Sequence, residues 1–377
     1  MNNKDISKAI KLYRKLGCPS GLFDPTTRPF QNNKYNVIVT ERVSGKTTNV
    51  ILFGMCLHQV CGTITQYIRQ TDEQLTPKRS KNLMTTIKAC GYIEKITGGR
   101  WNDCYYHSRE WHYCNYSEDG KIEEKDPTPF ISCLSIDRAE DYKSVYNAPH
   151  GEWIVFDEFV SSRYLLDEFV SFCDLICTIV RFNNSAVCWM LGNTLDPHCE
   201  YFHEMELDDC MSRLEQGEHI ETITDKGTPI YLEWYSPEKS ERRSIINRLF
   251  FGFNNRKLGA ITGENWAITP APRMKGKPEI ILSKNRYLQY NGRLLQLEIC
   301  QRENFGLCVW CHQAKKFGEN AVIFTCDTKH DQRYRHKYGY DQIDNLIWTL
   351  YERDKFLYGT NADQSILHKY MRHADQL

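Results

Sequence analysis

The segment that most constrains the fold is a loop pattern, TERVSGKT, between the apolar runs YNVIV and NVILFGMCLHQV. It fits the phosphate-binding (Walker A) pattern GxxxxGK[ST] at every position but the first, where Thr40 replaces glycine. Gly45 lets the backbone turn tightly, so that successive N–H groups point at phosphate oxygens. Lys46 then reaches the β and γ phosphates, and the Thr47 hydroxyl binds Mg²⁺. Because a strand precedes the pattern and a helix follows it, we predict a nucleotide-binding loop rather than a chance turn.

Two carboxylates, Asp157 and Glu158, end a second apolar run, WIVF. Acids at the end of a buried strand are costly unless they have a role, and an exposed acidic strand end is the alternative interpretation. In a P-loop NTPase the first acid of such a Walker B pair holds Mg²⁺ through water and the second activates the attacking water. The adjacent glutamate favours ATP hydrolysis coupled to work. A further run ends in LGN, where Asn193 either senses the γ-phosphate or belongs to a plain Gly-Asn turn.

Strands alternate with helices through the first half of the chain, which predicts a three-layer α/β ATPase domain at residues 1–205 with a mostly parallel sheet. Residues 206–272 mix short charged helices with turns, and we interpret them as a linker. Strand alternation returns in EIILS, RYLQYN, LLQLEIC, FGLCVWCH and AVIFTC, before two helices near 341–353 and 362–372. Residues 273–377 are therefore predicted to form a second, smaller α/β domain.

The sixteen cysteines of this 377-residue chain lie largely in apolar runs. Because no signal peptide is evident, we expect reduced thiols. Two groups have loose metal-ligand spacing: Cys308 and Cys311 beside a histidine, and a second group in the aromatic segment WNDCYYHSREWHYCNY. The members of the second group are Cys104, His107, His112 and Cys114. Their segment has the alternation of a β-hairpin, and whether either group binds a metal stays open.

The charge of the chain is balanced, with 48 basic and 48 acidic side chains. No apolar run approaches the roughly 18 to 20 residues of a membrane span, so we expect a soluble protein without membrane contact. The balance argues against a static or sequence-specific DNA binder, which has a basic footprint. It is compatible with a few basic loops that grip DNA and release it repeatedly.

Together these elements resemble the DNA-packaging ATPases of small short-tailed phages with protein-primed genomes, motors similar to large terminase subunits. The resemblance covers most of the chain and includes NVIVTERVSGKTT, TQYIRQTDEQL, IVFDEF, TIVRFNNSAVCWMLGN, LEWYSPEKSERRSIINRLFFG, FGLCVW and FLYGTNADQSILHKYM. It implies a P-loop domain of the additional-strand type and, after the linker, an RNase H-like domain that is a vestigial nuclease. It also implies that ATP is hydrolysed with Mg²⁺ to move double-stranded DNA into a preformed capsid, the prohead.

The resemblance assigns roles to individual residues. Glu158 matches the catalytic carboxylate, and Arg181 the arginine finger offered to a neighbouring subunit's ATP. Lys143 matches a second basic residue that acts across the subunit interface, and Arg69 matches a residue of the loop that grips DNA. The expected nucleotide-binding residues are Thr40, Arg42, Ser44, Gly45, Lys46, Thr47, Thr48, Asp157 and Asn193, with Thr47 and Asp157 as Mg²⁺ ligands.

This chain departs from the family in the DNA-gripping loop, where Gln70 and Asp72 occupy the next basic positions, so a weaker grip is expected. In the second domain, EIILS and LLQLEIC offer no central aspartate and only Asp327 ends a strand. Nuclease activity is therefore not expected, because two metals need several convergent carboxylates. Basic clusters of the second half are either phosphate contacts or solvated charged faces; they comprise residues 329–337 and Arg242, Arg243 and Arg248.

The family also implies partners: a homo-oligomeric ring, usually of five subunits, and the portal vertex of the prohead. A structural RNA between motor and portal is compatible with the resemblance. The ring is expected in the host cell cytoplasm, on the prohead during assembly and not in the mature virion. One alternative is another P-loop nucleic-acid motor, such as a helicase-like or recombinase-like ATPase. A second is a capsid vertex protein with a decayed nucleotide site.

Overall fold

The computed structural model divides into two compact units, Met1–Ala267 and Ile268–Leu377. The residues it describes are 1–17, 21–41, 44–143, 150–160, 167–181, 184–194, 199–236, 273–274, 278, 280–290, 292–303, 305–327, 332–336 and 340–375.

The first unit is built on one sheet of nine strands in the order β3-β4-β5-β2-β6-β7-β1-β9-β8. The strands are β1 (Tyr35–Thr40), β2 (Thr65–Arg69), β3 (Asp103–His107), β4 (Glu110–Tyr116), β5 (Ile122–Ser135), β6 (Trp153–Asp157), β7 (Val187–Asn193), β8 (His219–Ile223) and β9 (Pro229–Tyr235). The six from β5 to β9 in this order run parallel, whereas β3, β4 and β8 pair antiparallel with their neighbours. The predicted mostly parallel sheet is confirmed.

Helices cover both faces of this sheet. They are α1 (Asn3–Lys15), α2 (Lys46–Cys61), α3 (Pro77–Ala89), α4 (Tyr92–Thr97), α5 (Ala139–Tyr142), α6 (Glu168–Val180), α7 (Glu200–Glu204) and α8 (Asp208–Arg213), with 3-10 turns at Pro25–Thr27, Asp72–Leu75 and Ile136–Arg138. Helices α1 to α4 pack in one apolar cluster, and α6 to α8 pack in another. Helix α6 buries Phe172, Leu175 and Ile179, which recur at helical spacing and so form one stripe. The result is the predicted three-layer α/β architecture.

The position of β7 defines the type of sheet. It lies between β1, which leads into the phosphate-loop pattern, and β6, which ends in the acid pair. A strand inserted between these two is the mark of the additional-strand P-loop fold that the resemblance implies.

The segment interpreted as a linker is structured differently from that expectation. Strand β9 pairs in parallel with β1, and β8 closes that edge of the sheet. Part of residues 206–272 therefore completes the nine-stranded sheet instead of connecting two domains. The run PIYLEWY contains this signal, since it alternates apolar and polar residues, but strand pairing with residues far earlier in the chain is not visible locally.

The second unit has a six-stranded sheet in the order β14-β13-β10-β11-β12-β15. Its strands are β10 (Ile280–Tyr290), β11 (Arg293–Arg302), β12 (Gly306–Gln313), β13 (Val322–Phe324), β14 (Tyr334–Arg335) and β15 (Phe356–Tyr358), and its helices are α9 (Gln342–Glu352) and α10 (Asn361–Ala374). Strands β10 to β12 are antiparallel, whereas β13 is parallel to β10 and β14 to β13. This is the RNase H-like strand arrangement. The described residues of the two runs EIILS and RYLQYN belong to one continuous strand, β10.

Candidate nucleotide site

Four of the predicted site residues lie at one edge of the nine-stranded sheet. Because β1, β2, β6 and β7 are parallel, their carboxyl ends lie at the same edge. The terminal residues of these four strands are Thr40, Arg69, Asp157 and Asn193. Thr40 is in register with Asn193, which brings the start of the loop next to the strand that separates it from the acids.

The loop between β1 and α2 turns at Gly45, which has φ +79° and ψ 1° and directly precedes α2. This left-handed conformation is strained for other residues, and a Cβ there would lie 3.1 Å from Leu22. The glycine thus serves the predicted tight turn. No side-chain hydrogen bond caps the start of α2, and the first N–H groups of a helix can bind an anion. Arg42 lies outside the described residues.

Two hydroxyl groups of this loop fit a phosphate ligand. Thr40 and Ser44 are both buried, and among the described residues neither side-chain oxygen has a hydrogen-bond partner. A buried hydroxyl without a partner costs free energy, which a bound phosphate would remove. Thr48 is half-buried in the first turn of α2.

The loop is joined to the other two motifs by direct hydrogen bonds. Lys46 is buried, and its ammonium group donates to Asn193 Oδ1 at 2.8 Å. Thr47 Oγ1 donates to Asp157 Oδ1 at 2.7 Å. A hydroxyl and a carboxylate in contact are oxygen ligands of the kind that Mg²⁺ prefers. The two residues predicted as metal ligands therefore lie together.

The second oxygen of Asp157 is held by two residues of β2 that the sequence did not assign to this site. Tyr67 donates to Asp157 Oδ2 at 2.8 Å, and Arg69 Nη1 donates to the same atom at 2.9 Å. Burial, together with the charge of Asp157, raises the pKa of Tyr67 well above its usual value, so the phenol stays a donor. The run TQYIR is typical of a strand that contains both residues, but it does not indicate which acid their side chains contact.

Glu158 adopts a left-handed backbone with φ +58° directly after β6. Its N–H donates to the carbonyl of Leu191 at 2.7 Å, which fixes the turn against β7. The carboxylate is 50% exposed and accepts a hydrogen bond from Arg69 Nη2 at 2.5 Å. Strained non-glycine backbone is often found at functional sites, and here it directs one acid outward while Asp157 stays buried.

The structure therefore places Arg69, predicted to grip DNA, against both acids. Its side chain is 13% exposed. Gln70 and Asp72, which occupy the next basic positions of the family's loop, also form contacts within the chain. Gln70 donates to Glu168 of α6 at 2.8 Å, and Asp72 forms ion pairs with Arg109 and Arg138.

Lys143 and Arg181, the residues predicted to act across an interface, both lie next to α6. Lys143 bridges Glu140 and Asp174, with Nζ–O distances of 2.7 and 3.1 Å. Arg181 follows the last residue of α6, is exposed, and donates from Nε to the Thr178 carbonyl at 3.3 Å. Neither contact reaches the acid pair of the same chain.

The cysteine–histidine group lies on a β-hairpin, as predicted, with Cys104 on one face and His107, His112 and Cys114 on the other. Cys104 is opposite Tyr113, whereas Cys114 is opposite Asp103, so the two cysteines face opposite sides of β3 and β4. Within the described ranges, no group of three or more His, Cys, Asp or Glu side chains has the arrangement of a metal site. Cys308 and Cys311 likewise pair with different partners on β11, Cys300 and Leu297.

The acids of the second unit are bound by arginines. Arg286 on β10 contacts Asp344 through Nε and Asp341 through Nη2, each at 2.7 Å. Arg335 contacts the same two aspartates. Asp344 is fully buried. Arg335 belongs to the basic cluster 329–337, of which residues 332–336 are described, and Arg242, Arg243 and Arg248 lie outside the described residues.

The sheet order, the left-handed glycine before α2 and the Thr47–Asp157 contact define the first unit as an additional-strand P-loop NTPase fold. No protein-family model and no curated protein matches the sequence. The Phi-28 gp11 DNA packaging motor has a similar structure, with a TM-score of 0.59 and 17% identity over 95% of this chain and 99% of that chain. The bacteriophage Phi-29 viral genome packaging motor assembly matches with a TM-score of 0.59 and 15% identity over 94% of this chain and 100% of that chain. At these identities the similarity establishes a shared fold over both units. Among the helices in the described part of the chain, none has the length and apolar character to cross a membrane.

Proposed function

We propose that this protein is an ATP-hydrolysing motor that moves double-stranded DNA into a prohead. The observation that carries the proposal is the Thr47–Asp157 hydrogen bond of 2.7 Å, which joins the loop pattern to the acid pair. The fold shared with packaging motors over 95% of the chain supports the choice of DNA as cargo.

ATP and Mg²⁺ fit the residues that are present. The N–H groups at the start of α2, with Thr40, Ser44 and Lys46, would hold the phosphates, and Thr47 and Asp157 would hold the cation. When bound, Mg²⁺ neutralises charge on the β and γ phosphates. Asn193 accepts from the Lys46 ammonium and would report changes at the γ-phosphate to β7.

Glu158 is the general base in this proposal, because it is the exposed member of the acid pair. In the described structure its carboxylate is bound to the Arg69 guanidinium. While the guanidinium holds this carboxylate in a charge-assisted hydrogen bond, the carboxylate is less available to an attacking water. Hydrolysis therefore requires that Arg69 release Glu158.

DNA is a suitable trigger for that release, because the family resemblance assigns Arg69 to the DNA-gripping loop. A phosphate backbone would compete with Glu158 for the same guanidinium. The adjacent Gln70 is bonded to Glu168, the first residue of α6. Movement of Arg69 would consequently displace the helix that ends beside Arg181.

Arg181 is proposed to act on the ATP of another copy of the chain. Glu168, at the start of α6, is bonded to the carboxyl end of β2, whereas Asn184, just after Arg181, is bonded to Lys34 at the amino end of β1. The helix of 13 residues is about 20 Å long, and it therefore extends along the strands from their carboxyl ends to their amino ends. Arg181 lies at the edge opposite its own acid pair, which favours a ring in which ATP is bound between subunits.

The second unit is proposed to be a docking domain without nuclease activity. Two metals need several free carboxylates, whereas Asp341 and the buried Asp344 are each paired with Arg286 and Arg335. The portal vertex of the prohead, a pentameric ring and a structural RNA are part of the same proposal, as is action in the host cytoplasm.

The proposal is tested by ATP hydrolysis measured alone, with duplex DNA, with single-stranded DNA and with purified proheads. We expect hydrolysis to be stimulated by duplex DNA and increased further by proheads. Preferential stimulation by single strands would favour a helicase-like motor instead. Failure of a fluorescent ATP analogue to bind would contradict the nucleotide site itself and favour a vertex protein.

A further inference from the structure

Two buried cysteines of the second unit lie directly opposite each other on neighbouring strands. Cys300 on β11 is in register with Cys308 on β12. Their Sγ atoms are 3.5 Å apart, and both residues are fully buried. Antiparallel neighbours bring Cβ atoms within about 5 Å, which is close to the spacing that a disulfide requires.

The two thiols are chemically unequal. The hydrogen bond between the two sulfur atoms lowers the pKa of Cys308 against the effect of burial, and the positive charges of Arg302 and Lys355 lower it further. The same hydrogen bond, together with burial, raises the pKa of Cys300. The thiolate is the reactive form of cysteine, so Cys308 is the nucleophile and Cys300 the second thiol.

The pair lies near the end of its hairpin. Only two register pairs, Gln301–Leu307 and Arg302–Gly306, separate it from the turn between β11 and β12. The surrounding apolar side chains include Met274, Phe305 and Trp310, which are themselves only partly buried. Hairpin ends open locally at modest free-energy cost, which gives a small oxidant access without unfolding the unit.

We propose that Cys300 and Cys308 form a dithiol redox site whose oxidant is a low-molecular-weight disulfide. The Cys308 thiolate attacks one sulfur of the oxidant, which forms a mixed disulfide and releases one thiolate. Cys300 loses its proton to that thiolate and attacks the Cys308 sulfur, which forms the Cys300–Cys308 bond and releases the second thiolate. Two protein thiols are oxidised, and one disulfide is reduced to two thiols.

Other cysteines provide internal controls. Cys311 is on the same strand but pairs with Leu297, so it lies on the opposite face of the sheet. Burial raises its pKa well above the usual value. Cys90 is exposed in the first unit and reports the intrinsic reactivity of a surface thiol.

The test incubates the full-length protein with oxidised glutathione, blocks free thiols with iodoacetamide and maps the cysteines by mass spectrometry. We expect a Cys300–Cys308 cross-link that dithiothreitol reverses, while Cys311 is recovered alkylated after denaturation. Cys300→Ser should accumulate glutathione on Cys308, and Cys308→Ser should form no cross-link. Recovery of both cysteines as free thiols while Cys90 is modified, or a stable wild-type adduct without a cross-link, would overturn the proposal. None of these readouts depends on ATP hydrolysis.

Discussion

The two units each bring an acid pair next to arginine, with different outcomes. In the first unit Asp157 is buried and Glu158 is 50% exposed, and a single arginine, Arg69, binds both. In the second unit Asp341 and Asp344 share two guanidinium groups from Arg286 and Arg335.

The two acid pairs differ in whether a carboxylate can exchange its charged partner. Asp344 is enclosed by its partners, and a buried charge stays in place only while it is paired. Glu158 has one charged partner among the described residues and faces solvent, so its partner can be exchanged. Similar residue types thus produce a structural ion-pair network in one unit and a candidate catalytic site in the other.

The largest effect is expected from Arg181, which follows the last residue of α6 and is exposed. Arg181→Ala should lower kcat by about 10³-fold or more, because an arginine finger stabilises transition-state charge. Arg213→Ala is the matched control, since Arg213 is also exposed and also donates from Nε to a helix carbonyl. Mixing Arg181→Ala with Glu158→Gln subunits should restore part of the activity. Full activity of the Arg181→Ala homomer would exclude action between subunits.

Glu158→Gln should reduce kcat by about 10²- to 10⁴-fold, the usual contribution of a general base. Binding of a fluorescent ATP analogue should be unchanged, because the amide keeps the shape of the side chain. Asp341→Asn in the second unit is the comparison, and its kcat should equal that of the wild type. Normal turnover of Glu158→Gln would remove the distinction between the two acid pairs.

Asp344→Asn should destabilise the second unit by about 3 kcal/mol, because it leaves two guanidinium groups facing one carboxylate. Hydrogen exchange of β10 and α9 in the full-length protein measures this local stability. ATP binding by the first unit should be unaffected. Unchanged protection of β10 would show that the network is dispensable, contrary to its proposed structural role.

Arg69→Ala should make hydrolysis nearly independent of DNA and raise the basal rate by about tenfold, as expected for loss of a charge-assisted hydrogen bond to the base. The measurement is the ratio of rates with and without duplex DNA. Arg100→Ala is the control, because Arg100 also pairs with a glutamate but at an exposed site. If Arg69→Ala keeps the wild-type ratio of rates with and without duplex DNA, Arg69 does not take part in DNA sensing.

The smallest effect concerns pH. Although burial alone would raise the pKa of Asp341, hydrogen bonds from Arg335 and the Asp344 N–H lower it from 3.8 to about 2. A lowered native pKa stabilises the fold above the unfolded value, and this contribution is lost as the pH falls from about 4 to 2. After allowance for its partial exposure we expect about 1 kcal/mol. Asp341→Asn should flatten that part of the stability profile of the second unit, and an unchanged profile would contradict the assignment.

Local patterns were sufficient to predict the loop, the acid pair and the alternating architecture, because each of these features depends on residues that are adjacent in the sequence. The structure brings Lys46 and Thr47, at the start of α2, to Asn193 and Asp157 at the ends of two parallel strands, as expected if the loop pattern and the polar strand ends share one site. Other contacts between distant segments were not predictable. The carboxylates reached by Arg69 depend on β2 lying beside β6, which no local pattern reveals.

The central claim is that ATP hydrolysis at this site drives DNA into a capsid. It is tested most directly by incubating the protein with proheads, duplex genome DNA and ATP, followed by nuclease digestion. We predict that DNA is protected in the presence of ATP, and that neither a non-hydrolysable analogue nor Glu158→Gln supports protection. Equal protection without hydrolysis, or none while the wild-type protein hydrolyses ATP on duplex DNA, would contradict the account.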